Sequence, residues 1–186
     1  MKNFISALAA SVAMLVCQPC YAANLKGTYS FVGHDSCTLT GAGVGSGVGT
    51  INGTAQGFAI FNGDGTGTIT VKYDWVVVVT NNDPPRISSF APSNVAFTYT
   101  VTGDEFTIAE TSESGPATNL FGVNAQLTIT NVPPVNGTIS NNSPPVLLTA
   151  TGTPANEAWI FDICANCVSN IVTCLRTRTL TKVNAT

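Results

Sequence analysis

From Thr68 to Val79 the chain alternates. Ile69, Val71, Tyr73, Trp75, Val77 and Val79 occupy one parity, and Thr68, Thr70, Lys72 and Asp74 the other. Successive side chains of an extended strand point to opposite faces, so this spacing predicts a strand with one apolar and one polar face. The same arithmetic sets Val95, Phe97, Tyr99 and Val101 against Ala96, Thr98, Thr100 and Thr102, and Val123, Ala125, Leu127 and Ile129 against Asn124, Gln126, Thr128 and Thr130. A chain that repeats this pattern must lay several half-buried, Thr-backed strands against one core. Val76 and Val78 depart from the pattern and put apolar surface on the outer face, where a loop or another subunit can cover it.

Further candidate strands are Gly27 to Gly33, Ala55 to Phe61, Glu105 to Thr111, Val146 to Gly152, Glu157 to Ile163 and Ile171 to Lys182. "NGDG" (Asn62 to Gly65) and "TGDE" (Thr102 to Glu105) supply residues that tolerate positive φ, as tight hairpins require. "NNDPP" (Asn81 to Pro85), "NVPP" (Asn131 to Pro134) and "NNSPP" (Asn141 to Pro145) read as longer loops in which proline stops a strand. Gly41 to Gly49 reads as a flexible loop or a weak, bulged strand. The expected fold is all-β: a single antiparallel barrel of about eight or nine strands, with a sandwich as the alternative. Long strands and mostly local connections favour the barrel.

Lys2, the apolar run Phe4 to Val16 and the small residues of "CYAAN" form a secretory signal peptide over residues 1–22, cut after Ala22 or Ala23. Residues 23–186 are then one expected domain, since about 160 residues can bury roughly two-thirds of the unfolded chain's surface. No later segment holds the ~18 consecutive apolar residues of a membrane helix. The protein is therefore expected to be secreted or periplasmic, without a membrane span. Charged residues make up 9% of the chain, hydrophobic residues 44%, and the formal net charge is -3. These values exclude the basic footprint of a nucleic-acid binder and the composition of a disordered chain.

Cys37, Cys164, Cys167 and Cys174 remain after cleavage. An even number in an exported chain predicts disulfides, and three connectivities are open. A bridge from Cys37 to any of the others ties the start of the fold to its end. "CANCVSNIVTC" with His34 also has the residue types of a zinc site, but structural zinc needs reduced thiolates, so the disulfide reading is preferred and no metal is expected.

Other chemistry-bearing groups are weaker. "NGDGTG" offers alternating oxygens for calcium, yet Tyr73 stands where an EF-hand loop needs Glu, which leaves a hairpin turn. His34, Asp35 and Ser36 are adjacent on an extended chain and cannot form a hydrolase relay. Asp104 with Glu105, and Glu110 with Glu113, have the composition of a glycosidase acid and base, but nothing in the sequence fixes their separation. Arg176 and Arg178 share a face of the last strand, and the expected placement is outward or at a rim.

"LKGTYSF" (Leu25 to Phe31), "FNGDGTGTIT" (Phe61 to Thr70), "FTYTVTGDEFTI" (Phe97 to Ile108) and "CLRTRTLTKV" (Cys174 to Val183) resemble a group of small exported bacterial proteins that are largely uncharacterised. These begin on a Gly-x-Tyr strand, pass through a Phe-x-Gly-Asp-Gly hairpin and then a Thr-Gly-x-Tyr-x-Val hairpin, and close on an Arg-containing strand. The resemblance covers about half of the mature chain and implies a lipocalin-like or calycin-like barrel. It brings no catalytic residue.

The leading expectation is a non-enzymatic exported barrel without cofactor that binds a small, mainly apolar ligand, with Tyr73, Trp75, Phe97, Tyr99 and Leu127 as candidate pocket wall. The alternative is a cell-surface or matrix protein with a filled barrel. Its Thr/Asn-rich outer faces would mediate adhesion, and Val76 and Val78 self-association.

Overall fold

A computed structural model describes residues 25–40, 48–80, 84–120, 122–140, 147–152, 155–162 and 170–183. The expected signal peptide, Cys164 and Cys167 lie outside the described residues. Twelve strands follow in order: β1 (Lys26–Thr40), β2 (Gly49–Asn62), β3 (Thr66–Val79), β4 (Arg86–Phe90), β5 (Val95–Thr102), β6 (Glu105–Glu110), β7 (Ser112–Leu120), β8 (Val123–Thr130), β9 (Val135–Ile139), β10 (Leu147–Gly152), β11 (Ala155–Phe161) and β12 (Asn170–Lys182). They form one antiparallel sheet closed by a ring of hydrogen bonds.

The ring is built from four long strands and eight short ones. β12, β1, β2 and β3, strands of 13 to 15 residues, pair side by side over 12 to 14 positions and make a continuous wall. The short strands close that wall twice. At one end, Tyr73–Val77 of β3 pairs with β4, which leads through β7, β8 and β11 to the first half of β12. At the other end, Thr66–Ile69 of β3 pairs with β5, which leads through β6, β9 and β10 to the second half of β12. Between these ends the long strands change partners. Thr70, Val71 and Lys72 of β3 fall between its pairings with β5 and β4, and Leu175 and Arg176 of β12 between those with β11 and β10.

Twelve strands correct the expectation of eight or nine. β4, β7 and β9 carry the difference, and each hides behind turn residues. β4 is flanked by Pro84, Pro85 and Pro92, β7 contains Gly115 and Pro116, and β9 contains an Asn-Gly pair that ordinarily marks a hairpin. Their pairing comes from tertiary neighbours rather than from their own propensity. The Gly-Asp turns fold as hairpins: Gly63 and Gly65 both have φ of 89° between β2 and β3, where the Thr66 amide donates to Asp64 Oδ1 at 2.9 Å, and Gly103 has φ of 61° between β5 and β6.

Alternation carries every second side chain inward. Near the β5 end, the Phe61 ring meets Tyr29, Phe97 and Tyr99 edge-on with centroids 5.0 to 5.2 Å apart. Near the β4 end, Trp75 stacks on Trp159 at 5.0 Å and on Phe90 at 5.7 Å. Large rings need small neighbours across the ladder. Gly53 faces Trp75, and a Cβ there would stand 2.8 Å from the indole Cδ1.

Cys37 and Cys174 face each other across β1 and β12 and form a buried disulfide spanning 137 residues of sequence. It joins two neighbours of the wall that lie far apart in the chain, so it removes conformational freedom chiefly from the unfolded state. Replacing both residues (Cys37→Ala with Cys174→Ala) is expected to lower unfolding stability by about 2–5 kcal/mol, read from urea titrations. A change within about 0.5 kcal/mol would show that the closed ring holds without the bridge.

Candidate functional site

β12 places Arg176 and Arg178 between two inward residues, Cys174 and Leu180. Arg176 is only 3% exposed, and the Arg178 side chain only 11%. The expected outward or rim placement is thus corrected. The physical reason is the presence of acidic partners on other strands: Asp35 on β1, Glu113 on β7 and Glu157 on β11, each about 1% exposed.

Arg176 is the hub. Its Nη1 donates to Glu113 Oε1 at 2.7 Å and to Tyr73 Oη at 3.0 Å, and its Nη2 donates to Glu157 Oε2 at 2.8 Å. The Tyr73 hydroxyl in turn donates to Glu113 Oε1 at 2.8 Å. Arg178 Nη1 donates to Asp35 Oδ1 at 2.7 Å. Both tryptophans use this layer as well, with Trp159 Nε1 donating to Glu157 Oε2 at 3.1 Å and Trp75 Nε1 to Asp35 Oδ2 at 3.3 Å. Each guanidinium also lies over the Tyr73 ring, 5.6 and 5.7 Å from its centroid. The layer thereby links β1, β3, β7, β11 and β12 through side chains at the level where β3 and β12 change partners.

Burial decides the protonation of these groups, and the charges nearby correct it. Burial, reinforced by the Glu113 charge, pushes the Tyr73 hydroxyl well above its ordinary range. Burial opposes the charge on Arg176, but Glu113 and Glu157 more than compensate and its pKa is raised. Burial acts likewise on Arg178, where Asp35 is the compensating charge. Glu110, at the end of β6, is pushed up to about 8 by burial and then by Glu113 beside it. Three polar atoms of the layer have no hydrogen-bond partner: Glu113 Oε2, Glu157 Oε1 and Arg176 Nε.

An interior cavity of about 30 Å³ adjoins the layer, bounded by Tyr73, Glu110, Arg176 and Arg178 on one side and by apolar residues such as Phe31 and Val135 on the other. Since one water occupies about 10–15 Å³ on this measure, the space accommodates roughly two waters. A second concavity is an open groove of about 650 Å³ on the outer face, with Phe58 and Val32 along β2 and β1 and Pro92 opposite.

The predicted pocket residues all point inward. Tyr73, Trp75, Phe97, Tyr99 and Leu127 are 7% exposed or less, but they fall into separate groups. Tyr73 and Trp75 belong to the ionic layer, Phe97 and Tyr99 to the aromatic cluster around Phe61, and Leu127 to the wall of β8. Of them only Tyr73 borders the interior cavity. Asp104 and Glu105 lie exposed at the hairpin between β5 and β6, whereas Glu110 and Glu113 come together beside Arg176. His34 faces outward while Asp35 faces inward, as the alternation of an extended chain requires. Asp35 and Glu157 escaped the sequence reading as members of one site. Each nevertheless holds the apolar parity of its strand, Asp35 between Gly33 and Cys37 and Glu157 two residues before Trp159, and that parity was the available signal.

Compared with known proteins, the chain matches no family model, no curated protein and no solved structure.

Truncating Arg176 would leave Glu113 and Glu157 buried without their cation. Arg176→Met is expected to cost about 3–5 kcal/mol of unfolding stability, measured by urea or thermal denaturation. A loss below about 1 kcal/mol would mean that the two carboxylates find other partners.

Proposed function

We propose that the protein is an exported, non-enzymatic β-barrel with a filled interior, acting through its outer surface as a structural or adhesive component. The small size of the interior cavity carries this reading. About 30 Å³ is far below the ~300–1,000 Å³ of pockets that enclose small organic ligands. Rings that might have lined a pocket instead pack on one another, and most polar groups facing the interior bond one another in the Arg176 layer, leaving three buried atoms beside a space of only about two waters.

The outer face supports the same reading. Hydroxyl and amide side chains pair across neighbouring strands, as in Ser89 with Thr118, Thr107 with Asn136 and Thr138 with Thr149. Such ladders stiffen a polar surface at little cost in charge. Val76 and Val78 are exposed at 45% and 39%, and Val76 lies opposite Ile87 of β4, itself 77% exposed. These residues form an apolar strip suited to association between copies.

Native mass spectrometry of the protein from its own host is expected to give a bare mass, with dimers that grow with concentration. Val76→Lys is expected to weaken that association by about tenfold or more. A noncovalent adduct lost on denaturation would replace this reading with ligand carriage. Association unchanged by Val76→Lys would remove the strip from it.

A further inference from the structure

The chain passes from β6 to β7 through Thr111 alone, and with that step it leaves one closed circuit of strands for the other. Glu110 still pairs with Phe97 of β5, while Ser112 and Glu113 already pair with Thr130 and Ile129 of β8. Two acidic residues therefore stand within two positions of a one-residue crossing: Glu113 is buried in the ionic layer, and half-buried Glu110 lines the cavity beside Arg176 and Arg178. We propose that Glu110 and Glu113 share a single proton that latches this crossing, and that its loss loosens the junction between the two circuits.

The surroundings give the proton a structural role. Glu113 Oε1 already accepts from Tyr73 and Arg176, whereas Glu113 Oε2 receives no hydrogen bond from the ionised groups of the layer. Glu110 lines the cavity beside Tyr73 and Arg176, the two groups that bond Glu113, and the two carboxyls can bond each other only while one carries a proton. Every charge facing Glu110 already has a partner. Arg176 of β12 binds Glu113 and Glu157, Arg178 binds Asp35 of β1, and Tyr73 of β3 donates to Glu113. Glu157 of β11 also accepts from Trp159. β2, β9 and β10 bring only apolar residues to the adjoining cavity, Ala59, Val135 and Ala150. A second negative charge on Glu110 would thus face two guanidinium groups already matched with three carboxylates. The proton released would pass to solvent.

The sign of the pH dependence follows. A carboxyl raised from 4.5 to about 8 binds its proton more tightly in the folded chain than in the unfolded one. Its contribution to stability is complete below pH 4.5 and is lost as the pH rises to about 8.

The test compares the chain with its Glu110→Gln variant, which keeps a hydrogen-bond donor and cannot ionise. Thermal midpoints should nearly coincide at about pH 4 and then diverge in favour of Glu110→Gln up to about pH 8. Hydrogen exchange of the amides from Ile108 to Ser114, corrected for intrinsic rates, should accelerate about tenfold between about pH 6 and about pH 9 in the parent and stay flat in the variant. Parallel pH slopes in the two proteins would overturn the proposal. Should the variant fail to fold, carbon NMR of the parent's Glu110 carboxyl decides the matter. Titration near pH 8 supports the shared proton, and titration at the ordinary glutamate value of about 4.3 overturns it.

Discussion

The buried charge of Arg176 is the constraint around which the remaining structure is arranged. A guanidinium this far from water is tolerable only when its charge is matched, and Arg176 meets the condition through its two Nη groups, which bond Glu113, Glu157 and Tyr73 on three different strands while Nε goes without a partner. Those strands must therefore converge at one level. It is the level at which β3 and β12 exchange one set of partners for another, where backbone hydrogen bonding is least continuous. Side-chain bonds across the interior tie the walls together where the ladder does less of that work.

The same layer sits within one continuous apolar core, between two aromatic groups of different character. On one side are the edge-on rings of Tyr29, Phe61, Phe97 and Tyr99, and on the other the stacked rings of Trp75, Trp159 and Phe90. Each tryptophan packs its carbon face among apolar neighbours and turns its single N–H toward a carboxylate of the layer. This answers the need of a large amphipathic ring for one polar partner when buried. A slip of one residue between β1 and β12 would turn Arg176 to solvent and bring Leu175 inward, stranding Glu113 and Glu157. The ionic layer and the Cys37–Cys174 bridge, one inward position away on β12, fix the same register by independent means.

A filled interior moves functional interest to the outside. The outer faces carry few charges and many hydroxyl pairs, with apolar positions gathered at Val76 and Ile87 and around the groove beside Phe58. Such a surface is weakly charged, and its exposed apolar positions are where the proposed association between copies would form. The proposed shared proton between Glu110 and Glu113 connects this exterior to its surroundings, because solution pH would reach the buried layer at one of the places where the chain crosses between circuits, the single-residue step from β6 to β7.

The sequence by itself determined the local part of the structure. Alternation in Thr68 to Val79 and in its counterparts named the strands and their inward faces, and the Gly-Asp turns named the hairpins. These features depend on the residue and its immediate neighbours, so they are legible without a fold. Tertiary structure decided the rest. β4, β7 and β9 extend because their neighbours supply the hydrogen bonds that their own Pro, Gly and Asn content discourages. Arg176 and Arg178 turn inward because carboxylates 19 to 143 residues away meet them there. An alternating polar residue shows which face it shares with its neighbours. Whether that face lies in water or against a matching charge is set by strand pairing, which no local pattern encodes.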